Sequence, residues 1–248
     1  MSRACRIAAG LAFLAHALLA AIGARAAGLV IDPVRIDWSP VEKSAAIKIK
    51  NTSDQPTTVH IEAQSWSQHR GTDIYSPTRD LLVSPRLVTI APNSEQIVRT
   101  ILRRQPAAGI ELSYRIHFQQ QLPPPATGLP GRAPAIRLGL PVFVQAKNGA
   151  DAPRLAWSAT QMPDLRLRIV LHNSGNTHVQ VTDFALYVLG EPHPVAGESV
   201  STYILAEQSR EWLLRLDTPE VMTAKRFRIK AYTDTGLVES EMPLGAPD

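Results

Sequence analysis

The chain has 248 residues, 26 Lys and Arg against 22 Asp and Glu, and a single cysteine. That balance offers neither a strongly basic nucleic-acid surface nor a disulfide framework, and the length can bury a core without either. Arg3 and Arg6 open the chain, Ile7 to Ile22 is almost wholly apolar, and Ala24-Arg25-Ala26 supplies a small-x-small cleavage site. This order reads as a secretory signal peptide over residues 1–26, since about 16 apolar residues fall short of the ~20 that span a bilayer. We therefore expect an exported chain with no membrane insertion. Cys5 lies in the segment to be removed, which excludes zinc–thiolate sites and cysteine nucleophiles from the mature protein. Loss of Arg3, Arg6 and Arg25 takes the basic residues from 26 to 23 and the net charge from +4 to +1, so no nucleic-acid partner is expected.

Past residue 27 the pattern is that of strands. Ala45 to Lys50, Thr58 to Ala63, Gln96 to Arg99 and Tyr114 to Phe118 alternate apolar and polar residues. Met162 to Leu171 alternates in the same way and reads as one strand. Turn signals separate these runs, among them Asn51-Thr52-Ser53-Asp54, Ala91-Pro92-Asn93-Ser94, Asn173-Ser174-Gly175-Asn176 and Asp234-Thr235-Gly236. Ile47 to Ser53 recurs as Ile169 to Gly175, Ile90 to Ser94 as Leu205 to Ser209, and Tyr114 to His117 as Phe227 to Lys230, at offsets of 122, 115 and 113. Three collinear matches indicate a duplicated sandwich domain. The polar stretch Ala146 to Pro153 suits the hinge, giving domains at 27–147 and 148–248. Trp66, Trp157 and Trp212 are expected in the core or at an interface.

Signatures of enzyme chemistry are missing. His60, His69, His117, His172, His178 and His193 show no metal-pair spacing, and no acidic cluster accompanies them. His60 and His117 alternate with apolar neighbours and are expected to face solvent. No Gly-x-Ser-x-Gly, phosphate loop or Ser-x-x-Lys occurs. We expect no enzyme, no metal and no cofactor.

Gly28-Leu29-Val30-Ile31-Asp32-Pro33-Val34-Arg35, the run Tyr114 to Pro124, and Ile136 to Val144 resemble, in that order and spacing, the periplasmic PapD-like chaperones of chaperone–usher pili. The resemblance implies an all-β fold: two tandem immunoglobulin-like β-sandwich domains joined by a short hinge, boomerang-like. It also implies periplasmic location, pilus or fimbrial subunits as clients, and delivery to an outer-membrane usher, with a self-capping homodimer as a further arrangement. Such a chaperone lends a strand to a subunit that lacks its own last strand. Here that strand would be Pro134 to Val144, with Ile136, Leu138 and Leu140 on the donated face. The Pro-rich run Pro123 to Gly131 before it reads as a mobile loop that orders on binding. Pro141 would mark where pairing, with the client or with the preceding strand, stops.

Arg35 matches the family's cleft arginine, which grips the client's C-terminal carboxylate by its guanidinium fork. The chain departs from the family where a lysine should follow, for Pro141 stands there. Arg137, on the same face but roughly 13 Å away along a strand, could replace it, as could Arg99 or Arg115, or Arg35 could act alone. Asp234 matches the acidic member of the family's interdomain ion pair, whereas Gln145 stands in place of its arginine. A structural or adhesive two-domain sandwich is the competing reading.

Overall fold

The computed structural model describes residues 28–106, 108–121, 135–149, 151–162, 166–216, 221 and 223–245. Residues 1–26, which contain Cys5 and are expected to be a signal peptide, lie outside them, as do the Pro-rich run and Pro134. Ten strands precede residue 145: β1 (Leu29–Asp32), β2 (Ile36–Trp38), β3 (Ser44–Asn51), β4 (Thr57–His69), β5 (Thr72–Pro77), β6 (Leu81–Ser84), β7 (Leu87–Ile90), β8 (Glu95–Leu102), β9 (Leu112–Gln121) and β10 (Arg137–Val144). Seven follow: β11 (Leu155–Met162), β12 (Arg166–Asn173), β13 (Val179–Val188), β14 (Ala196–Ile204), β15 (Ser209–Arg215), β16 (Arg226–Thr233) and β17 (Gly236–Gly245). The sequence's single strand from Met162 to Leu171 is thus the end of β11 and the start of β12. Among the described residues no helix is long and apolar enough to cross a membrane.

The first half stacks the sheet β1-β3-β8-β6 on the sheet β2-β10-β9-β4-β5, with β7 also on β4. Alternation puts Ile47 and Ile49 of β3, Val59 and Ile61 of β4, and Ile116 and Phe118 of β9 between the sheets, fully buried, while Lys48 and Lys50 stay outside. Each such side chain contributes about 1.5–3 kcal/mol on burial. The second half folds as β14-β13-β16-β17-β11-β12-β15 around its own core, in which Trp157 and Trp212 stack 5.9 Å apart.

The internal repeat has a structural counterpart in two fully buried asparagines. The Asn51 side-chain amide donates to the carbonyls of Gln55, Ile90 and Ala91 at 2.7, 3.1 and 3.3 Å. Asn173 donates likewise to Thr177, Ile204 and Leu205 at 2.7, 3.3 and 3.2 Å. Their Oδ1 atoms accept from the N–H of Ser53 and of Gly175. Each asparagine thereby gives the carbonyls around its turn a side-chain donor, in addition to the backbone N–H groups of Ser94 and Gln208 that reach Ala91 and Leu205.

The opening strands of the halves differ. In the second half β11 runs unbroken, pairing β12 along its length and β17 at Ala159 and Thr160. In the first it is split: β1 pairs β3 in one sheet, and beyond Pro33 to Arg35 β2 pairs β10 in the other. Pro33 has no N–H with which to continue a ladder, which suits the crossing point between sheets. Arg35 sits in that crossing.

Candidate functional site

Between the two cores lies a third, smaller cluster of Trp66, Phe143 and Leu205, against which Tyr75 and Tyr203 pack. Phe143 comes from the face of β10 opposite Leu140, Val142 and Val144, so one strand feeds both the first core and this interface. Its ring stacks on His178 of the second half at 3.5 Å. Gln68 clamps the same contact, donating to the Tyr203 carbonyl at 2.8 Å and accepting the Leu205 N–H at 3.0 Å.

A chain of polar and ionisable groups crosses beside the rings. Glu111 meets His178 Nδ1 at 2.9 Å, and His178 Nε2 lies 3.8 Å from Asp234. Asp234 is fixed within the second half, since its Oδ1 accepts the Gln180 N–H at 3.0 Å. Its Oδ2 accepts from Arg35 Nη1 at 2.9 Å, and Arg35 Nε donates to Asp37 at 2.7 Å. Burial opposes the Arg35 charge, but Asp37 and Asp234, with the Tyr203 hydroxyl, more than offset it and hold its pKa above the usual arginine value. Asp234 therefore does bridge the halves, with Arg35 as its cation where the sequence shows Gln145 in place of the expected arginine. His178 carried no signal in the sequence that set it apart from the other histidines.

Arg35 opens onto a cavity of about 400 Å³ lined also by Arg115, Trp66, Tyr75, Tyr203 and Gln180. Arg115 stands opposite Pro141 in the β9–β10 register, and its guanidinium lies 5.0 Å over the Trp66 ring. Gly139 makes this placement possible, because a Cβ there would come within 2.6 Å of Arg115 Nε. Of the three bases that could accompany Arg35, the structure brings Arg115 to the same cavity. Arg137 is exposed at the start of β10, outside the cavity lining, and Arg99 lies on β8 in the other sheet. His117, expected at the surface, is buried instead, because Tyr75 from the β4–β5 hairpin lies edge-on to it at 5.1 Å. Burial, with the charges of Arg137 and Arg115, lowers its pKa to about 4. His60 is exposed as expected. Among the described residues no group of three His, Cys, Asp or Glu could hold a metal ion.

Strand β10 pairs with β9 over its whole length, Arg137 to Val144. Pairing with the preceding strand therefore does not stop at Pro141, because the antiparallel register runs through it. On the other edge β2 joins only from Val142 onward. Among the described residues, Arg137 to Pro141 have no strand on that side, and Pro141 marks the change. Leu29, Val30, Ile31, Val34, Leu138 and Leu140 line an apolar groove of about 330 Å³ along this open edge. Leu140 is 2 % exposed within the first core, whereas Leu138 is half-buried against it. Ile136 is also half-buried, its carbonyl accepting the Gln120 N–H at 2.9 Å.

Residues 28–148 match the family model of the pili and flagellar-assembly chaperone, PapD N-terminal domain. Among solved structures, the fold is similar to that in the chaperone–tip adhesion subunit pre-assembly complex from archaic chaperone–usher Csu pili of Acinetobacter baumannii, at 19% identity and TM-score 0.65, covering 88% of this chain and 100% of that one. The E. coli chaperone DraB is similar at 19% identity and TM-score 0.58, with 88% and 98% covered. The Salmonella enterica SafA pilin–SafB chaperone complex follows at 12% identity and TM-score 0.59, again with 88% and 98% covered. No curated protein matches the chain in sequence.

Proposed function

We propose that the chain, whose residues 28–148 match the pili and flagellar-assembly chaperone PapD N-terminal domain, caps pilus subunits in the bacterial periplasm by strand donation. In this reading the chain is a pilus-assembly chaperone and not an enzyme, which the family match over residues 28–148 and the shared fold support. In this reading residues 1–26 direct export, 27–147 and 148–248 are the two domains, and the capped subunit passes to an outer-membrane usher.

The observation that carries the reading is the open edge of β10 from Arg137 to Pro141, beside an apolar groove. A client lacking its last strand could pair its own edge with these backbone groups, while the half-buried Ile136 and Leu138 face its groove and Leu140, expected beside them, stays in the first core. Unpaired edges otherwise invite aggregation, which is the hazard a chaperone removes. The client's terminal carboxylate would enter the cavity between Arg35 and Arg115, whose guanidinium forks suit it.

Leu138→Asn tests strand donation, since Leu138 is the half-buried member of the face next to the fully packed Leu140. Its urea midpoint should fall only slightly, yet recovery of a co-expressed pilus subunit from periplasm should collapse. Full recovery with an unchanged midpoint would remove β10 from the client site. For the carboxylate, Arg35→Ala and Arg115→Ala should each weaken client binding by about 2–5 kcal/mol, as truncating a desolvated charge contact does.

A further inference from the structure

We infer that Arg35 is a latch between the two domains, and that a client carboxylate gains its two-point grip by taking the place of Asp234. The inference rests on the cleft reading above and concerns how that site is regulated. A guanidinium can hold a carboxylate through two parallel N–H bonds along either of two edges, Nε with Nη2 or Nη1 with Nη2. In Arg35 the Nε donor is engaged by Asp37 and the Nη1 donor by Asp234. Each edge has thus already given one donor to an internal carboxylate, so an incoming one must displace one of the two.

The geometry selects Asp234. Asp37 lies two residues along the same segment and travels with Arg35. Asp234 belongs to the other domain and is not stranded by the exchange, for it keeps the Gln180 N–H at 3.0 Å and lies 3.8 Å from His178. The residue at 145 is glutamine, so Arg35 itself is the cation that ties Asp234 to the first domain. Capture of the carboxylate and release of this tie are then one event. The Phe143–His178 stack and the Gln68 clamp remain, so release loosens the angle between domains without parting them.

The test uses the full chain in a Cys5→Ser background, with spin labels on Lys50→Cys and Glu198→Cys, both exposed and one in each domain. The probe is an N-acetylated apolar tetrapeptide with a free C-terminal carboxylate, compared with its C-terminal amide. In the protein otherwise unchanged, the acid and not the amide should broaden the interlabel distance. Asp234→Asn keeps an acceptor for the Gln180 N–H; it should be broadened without peptide and bind the acid at least about fivefold tighter, the low end of usual coupling between sites. Equal affinity in the two proteins, with acid-selective binding and no change in distance, would overturn the latch and leave the cleft reading standing. If neither protein prefers the acid to the amide, the cleft reading fails and the exchange with it.

Discussion

The last strands of the two domains hold the same place and carry opposite chemistry. Both β10 and β17 pair antiparallel with the strand before them and, at their far ends, parallel with the opening strand of their domain. Among the described residues, both leave most of one edge unpaired. On β17 the exposed face bears Glu239 and Glu241, paired with Lys230 at 2.9 Å and Arg226 at 3.2 Å, and Pro243 follows. Charges and proline are what an edge needs to refuse a further strand. The corresponding stretch of β10 reads Ile136-Arg137-Leu138-Gly139-Leu140, with one charge and an apolar groove beside it. In the proposed function, the unguarded edge is the one kept open for use, and its guarded duplicate is the internal contrast.

The largest effect that would sharpen this contrast is Met242→Asn in β17. Its side chain is 1 % exposed in the second core, so the change should lower stability by about 2–5 kcal/mol in urea unfolding. Leu138→Asn, at the open edge of β10, should cost less than about 1.5 kcal/mol; equal losses would mean that β10 is an ordinary core strand. Next come the buried asparagines, which belong to the shared frame and not to the edges. Asn51→Ala and Asn173→Ala should each cost about 1–3 kcal/mol, because buried carbonyls lose a side-chain donor. A difference of more than about 1 kcal/mol between them would show that the duplicated frames are not equivalent. Smallest in stability is the double change Glu239→Val and Glu241→Val, within about 0.5 kcal/mol for exposed ion pairs. It should instead cause self-association in light scattering, and a strictly monomeric variant would show that charge is not what guards β17.

The strands were legible because each buries alternate residues on one face, as Ile47 and Ile49 do between Lys48 and Lys50. The duplication was legible because its turns repeat Asn-Thr-Ser and Asn-Ser-Gly around a buried amide. Spatial pairings across the interface were not. Arg35 and Asp234 stand 199 residues apart, and nothing local to either encodes the domain angle that joins them. His117 looked exposed because alternation assigns a face but cannot foresee that the β4–β5 hairpin folds Tyr75 over it. Arg115 stood among three open alternatives until strand register placed it beside Pro141.

Gly139 owes its identity to a neighbour and not to its own backbone, which lies outside the left-handed region that favours glycine. The end of the Arg115 side chain occupies the space where a Cβ at 139 would be, so the two positions are coupled through that guanidinium. A residue with a Cβ at 139 would make that guanidinium shift from its place over Trp66. A chain with alanine at 139 would keep the cation of position 115 but hold it in a different place beside the cleft.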